Sequence, residues 1–141
     1  MTSSHESALR VLLRFIGTSS LLALIFVAAP YSWMNEIHQY LGMGELAHQP
    51  VVGYLARSTS AFYAIMGGLF WLISFDLQRY ERVVNYLGVI FIVFGVAFFI
   101  IDWVEGMPLF WRNCEGPFVI VFGIVIIYLN LNAKKNWIKS R

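Results

Sequence analysis

The chain has 141 residues, of which 59% are hydrophobic and only 13% charged, too apolar a mixture to clothe a soluble domain. Ten Lys and Arg against eight Asp and Glu leave a net charge of +2, and the cations flank the apolar runs without forming a patch of their own, so no nucleic acid is expected as a partner. The single cysteine, Cys114, excludes an internal disulfide and CxxC thiol chemistry, and it reads as a small apolar residue near a helix start.

Four stretches carry no Asp, Glu, Lys or Arg: Phe15 to Asn35, Ser58 to Phe75, Val83 to Ile101 and Gly116 to Ala133. A hydrocarbon core about 30 Å deep is crossed by about 20 apolar residues in helical form, so each stretch is long enough to span. The expected fold is all-α: an integral membrane antiparallel four-helix bundle in a single transmembrane domain over residues 1–141. Its spans are placed near 9–29, 51–75, 82–105 and 108–132.

At the N-terminus, Arg10 and Arg14 precede an apolar run ending in Val27-Ala28-Ala29, which imitates a signal peptide. Pro30 would resist cleavage there, so a retained first helix is expected. The connection that follows, Tyr31 to Pro50, is not expected to be slack. Ser32 can cap a helix, Glu36 lies in its first turn, Trp33, Ile37 and Leu41 recur every four residues, and Gly42 can stop it. This predicts a short amphipathic helix, about 32–42, lying on the outer interface. Glu36, His38, Glu45 and His48 lack any His-x-x-x-His or His-Glu-x-x-His spacing, so no metal is expected.

In the second span Ala56, Ser60, Ala64 and Gly68 repeat every four residues, with Gly67 beside the last. Small residues let backbones approach in lipid, so this stripe is expected to face other helices. Arg57 stands seven residues beyond Pro50, its backbone roughly 10 Å into the span. An unpaired arginine at a helix centre costs about 2.5–3.5 kcal/mol on insertion scales, so a counter-ion or a wet cavity is expected. The third span carries Gly88, Gly95 and Asp102 at seven-residue intervals, and the fourth carries Gly116, Gly123 and Asn130 in the same rhythm, the seam spacing of a left-handed bundle. The third is also rich in phenylalanine, with Phe91, Phe94, Phe98 and Phe99, which suits contact with lipid or a partner equally.

The basic residues sort by side. Arg10, Arg14, Arg79, Arg82, Lys134, Lys135, Lys139 and Arg141 fall at one end of the spans, and only Arg57 and Arg112 at the other, which places both termini in the cytoplasm. Aromatic belts agree, with Tyr31, Trp33, Tyr54, Trp103 and Trp111 outside and Tyr80, Tyr86, Tyr128 and Trp137 inside. Near the cytoplasmic boundary Arg14, Asp76, Arg79, Glu81 and Arg82 read as a structural cluster.

Glu115 lies seven residues beyond Pro108, at the depth of Arg57, and Asp102 lies one turn from the outer end of the third span. The expectation is a polar pocket opening outward, built on Arg57, Asp102 and Glu115, with Tyr63 adding a hydrogen-bonding group and His38 on the surface helix above. The competing expectation is an internal ion pair that fixes helix register without a ligand. Nothing supplies a nucleophile with its base, and Gly67-Gly68 lies mid-helix without the strand or lysine of a phosphate loop, so neither catalytic residues nor cofactors are expected.

Arg14-Phe15-Ile16-Gly17 opening the first span, Arg57 followed by Tyr63 and Gly67-Gly68 in the second, and Glu115 in the fourth resemble the layout of small four-helix bacterial membrane proteins of the DoxX-like kind. That resemblance implies a bacterial inner-membrane location, and some such proteins accompany oxidoreductase complexes as accessory subunits. The expected function is accordingly non-enzymatic: an accessory subunit of a larger membrane complex, or a binder of a small amphipathic ligand, a lipid or a quinone, in the outer pocket. The expected partners are the lipid bilayer and either the subunits of such a complex or further copies of the chain. The alternative is an oligomeric small-solute transporter, with Arg57 holding an anion and Glu115 switching with a proton.

Overall fold

The computed structural model describes residues 4–139, without the side chain of Lys139; that side chain and Arg141, both counted among the cytoplasmic cations, lie outside the described residues. All regular structure there is helical: α1 (Ser4–Leu21), α2 (Leu24–Ala28), α3 (Tyr31–Tyr40), α4 (Pro50–Phe75), α5 (Glu81–Val104) and α6 (Leu109–Lys139). Four stretches are long and apolar enough to cross a bilayer: Ser4–Ala28, Pro50–Phe75, Glu81–Val104 and Leu109–Ile138. Their outward side chains are apolar, Phe94 and Ile65 being 51% and 71% exposed, so the solvent these helices fit is lipid.

The chain divides into two compact units, one of residues 14–72 and one of residues 1–13 with 73–141. In the second of these, α5 and α6 run antiparallel along a glycine seam. A Cβ on Gly95 would stand 2.7 Å from the Gly116 carbonyl oxygen, and one on Gly116 would stand 2.6 Å from that of Gly95. One heptad along, a Cβ on Gly123 would stand 2.6 Å from the Gly88 oxygen. Another heptad on, the Asn130 side-chain amide donates to the Glu81 backbone carbonyl at 3.0 Å. Each seven-residue step up α5 is thus matched by one down α6, the register that the heptad spacing calls for. In this unit Leu9, Leu13, Ile73, Leu77, Val84, Ile126 and Ala133 are essentially shut from the surface. Beyond Asn130, Lys134 pairs with Glu81 at 2.6 Å, and the Trp137 indole donates to Glu6, which also pairs with Arg10 at 3.0 Å.

In the 14–72 unit the first span packs antiparallel against α4 through Gly17 and Gly67: a Cβ on Gly67 would stand 2.6 Å from the Gly17 oxygen. The packed glycine is therefore Gly67, and a Cβ on Gly68 would meet open space. The four-residue stripe drifts round the helix because 3.6 residues make a turn, so Ala64 is buried and Gly68 is exposed. Alongside, the Trp71 indole donates to Thr18 Oγ1 at 3.1 Å and the Arg14 guanidinium lies 5.0 Å from the Trp71 ring centre.

The first span is interrupted at Leu22–Ala23, where the amides of Ala23, Ile25 and Phe26 bond three residues back and tighten the helix. Helix α3 starts directly after Pro30, which occupies the N-cap position without a side-chain cap, so Ser32 lies in the first turn instead of capping it. Gly42, with φ +74°, ends the helix. The loop beyond folds back onto α3: the Tyr31 hydroxyl donates to the Leu46 carbonyl, and Asn35 Oδ1 accepts from the Leu46 amide at 2.8 Å.

Candidate functional site

The five residues expected to form the site fall into both units. Arg57, Tyr63 and His38 belong to the 14–72 unit, and Asp102 and Glu115 to the other. Within its own unit Arg57 has acceptors other than the carboxylates expected of it. Its guanidinium donates to the Val27 carbonyl at 2.9 Å and to that of Ala29 at 3.0 Å. These belong to the end of α2, where the last carbonyls of a helix have no amide to accept from and Pro30 brings no N–H of its own. The negative end of the helix dipole lies there as well, so a guanidinium is matched both by hydrogen bonding and by charge. His38 Nδ1 is 3.0 Å from the Gly44 carbonyl, which ties the ring to the loop that follows α3. Tyr63 is exposed on α4.

Asp102 occupies the heptad position that follows Gly88 and Gly95, and is 5% exposed. Its backbone is locked by the turn that ends α5: Gly106 takes φ +69° and the Met107 amide returns to the Asp102 carbonyl at 2.9 Å. Its side-chain Oδ2 is buried and has no hydrogen-bond partner among the described residues. The seam register sets Asp102 level with Leu109, whose side chain is apolar and brings no donor. At the other end of the same seam, Asn130 meets the Glu81 carbonyl. Asn130 Oδ1 at that end is likewise buried without a hydrogen-bond partner among the described residues.

Glu115 is half-buried one and a half turns into α6, its Oε2 accepting from the Trp111 indole at 2.6 Å. Arg112 forms no ion pair with Asp102 or Glu115 among the described residues. Its guanidinium sits over the Trp103 ring, 4.5 Å from the centre, with Nε buried and unpartnered. The sequence reads Trp103 and Trp111 as belt residues and Arg112 as an outer-end cation; the four-residue spacing of Trp111 and Glu115 is the signal that they meet. Among the described residues no three His, Cys, Asp or Glu side chains gather into a group that could hold a metal.

No family model, curated protein or solved structure matches this chain.

Proposed function

We propose that this multi-pass membrane protein is a non-enzymatic binder of a small amphipathic molecule, a lipid or a quinone, whose polar group seats at the α5–α6 turn on Asp102 and Glu115. The observation that carries the reading is the orphaned Asp102 oxygen: a buried acceptor in so apolar a chain is costly unless something donates to it, and ionisable groups at membrane depth are functional by default. The apolar tail of the ligand would lie along the lipid-facing side of the same helices. On the charge asymmetry of the connections, the α5–α6 turn faces outward and both termini face the cytoplasm, in keeping with a bacterial inner membrane. Arg57 is assigned a structural role, pinning the end of the first span, with His38 and Tyr63 outside the binding surface.

Native mass spectrometry from gently solubilised membranes tests this reading. The wild-type chain is expected to carry a small molecule that Asp102→Leu lacks. A wild-type chain retaining only other proteins would support the accessory-subunit role instead, and one retaining nothing would remove the ligand.

A further inference from the structure

Resting on that reading, we infer that the ligand is an aminophospholipid, its primary ammonium held between the carboxylates of Asp102 and Glu115 and its phosphate beside Arg112. Three features point the same way. The orphaned Asp102 Oδ2 is an acceptor awaiting a donor, in a residue only 5% exposed. Glu115, at the same end of α6, is a second side-chain acceptor, so a quinone carbonyl, itself an acceptor, would bring neither a donor, whereas a cation with N–H groups can donate to both. The Trp111 indole holds Glu115 Oε2 in place at 2.6 Å, which fixes the second carboxylate before any ligand arrives.

To these three is added the cation next door. Arg112 has no ion-pair partner among the described residues, and stacking on Trp103 holds its guanidinium at the same turn. A planar guanidinium held by an aromatic face is a ready phosphate donor. An anionic pair with a cation beside it is complementary to a zwitterion of the reverse order, ammonium beyond phosphate. Trp103 and Trp111 place this end of the helices at headgroup level, where lipid presents that pair.

Hydrogen-bond donation separates this headgroup from its closest imitation. Phosphatidylcholine carries the same charges but its trimethylammonium has no N–H, and phosphatidylglycerol has no ammonium. Purified wild-type protein would be exchanged into equimolar mixtures of phosphatidylethanolamine, its N-methyl and N,N-dimethyl derivatives, phosphatidylcholine and phosphatidylglycerol, and the retained lipid read by native mass spectrometry. Retention is expected to fall with each methyl and to favour the primary amine over phosphatidylcholine by at least about tenfold, the factor one charge-assisted hydrogen bond supplies. Asp102→Asn and Glu115→Gln should each flatten the series, while Arg112→Gln should weaken every lipid and keep the order.

A wild-type chain that holds all five lipids equally overturns the headgroup assignment and leaves a ligand site standing; one that holds none overturns both. A preference surviving in both carboxylate variants also overturns it. Displacement of the lipid by equimolar soluble phosphoethanolamine would keep the chemistry and overturn the bilayer as its source. The methylation series needs only wild-type protein, so the test holds even if a variant fails to assemble.

Discussion

Gly95 and Gly116 meet backbone to backbone, each leaving under 3 Å between a would-be Cβ and the other's carbonyl oxygen. Neither carbonyl can retreat without unwinding its own helix, so a side chain at either position must push α5 and α6 apart. Gly95→Val and Gly116→Val are each expected to cost about 1–3 kcal/mol or more by overpacking. Gly68→Ala, with open space around the new methyl, is expected to be neutral or to stabilise α4 by about 0.5–1 kcal/mol. Thermal unfolding in detergent distinguishes them, and a Gly68→Ala penalty equal to that of Gly95→Val would contradict the packing described.

Arg57 acts on stability through the carbonyls of Val27 and Ala29. Arg57→Ala is expected to lose about 1.5–3 kcal/mol for each charge-assisted bond removed, and Arg57→Lys less, since an ammonium can still serve one carbonyl. Retention of the small molecule should be unchanged once folding is corrected for. Loss of that molecule from a stable Arg57→Lys protein would return Arg57 to the binding site.

The Lys134–Glu81 pair closes the opposite end of the seam but is partly open to solvent. Lys134→Gln is expected to shift stability by only about 0.2–1 kcal/mol, and added salt should erase the difference. A large, salt-insensitive loss would mean that this pair is far better sheltered than its exposure indicates.

Orientation is tested by cysteine labelling in a Cys114→Ser background. A membrane-impermeant maleimide applied to intact cells is expected to label Ser32→Cys and to spare Asn136→Cys until the membrane is opened. The reverse pattern would invert the topology drawn from Arg79, Arg82, Lys134 and Lys135.

The sequence made the four apolar helices legible because hydrocarbon thickness fixes their length, and it made the α5–α6 seam legible because only glycine permits such approach at Gly88, Gly95, Gly116 and Gly123. Other features left no trace of that kind. The acceptors of Arg57 are backbone carbonyls, which every residue possesses, so nothing in the residue types at Val27 and Ala29 announces them. The interruption at Leu22–Ala23 has neither glycine nor proline to mark it. Gly67 and Gly68 are neighbours 100° apart on α4, and spacing by fours chose the wrong one of the two. Asp102 was legible as a seam residue, but whether its buried side chain meets a donor is a matter of packing that its residue type does not announce.

The most direct test of the open carboxylate at the α5–α6 turn is the melting temperature of wild type and Asp102→Leu, measured side by side in lipid-free detergent and again with phosphatidylethanolamine added. Without lipid the variant should melt higher, because an unsatisfied buried acceptor worth about 1–3 kcal/mol or more has been removed. With lipid at about 100 times its dissociation constant the wild type should gain roughly 2.7 kcal/mol and overtake a variant that gains nothing. A variant that melts below wild type in lipid-free detergent, or gains as much from the lipid, would contradict the account.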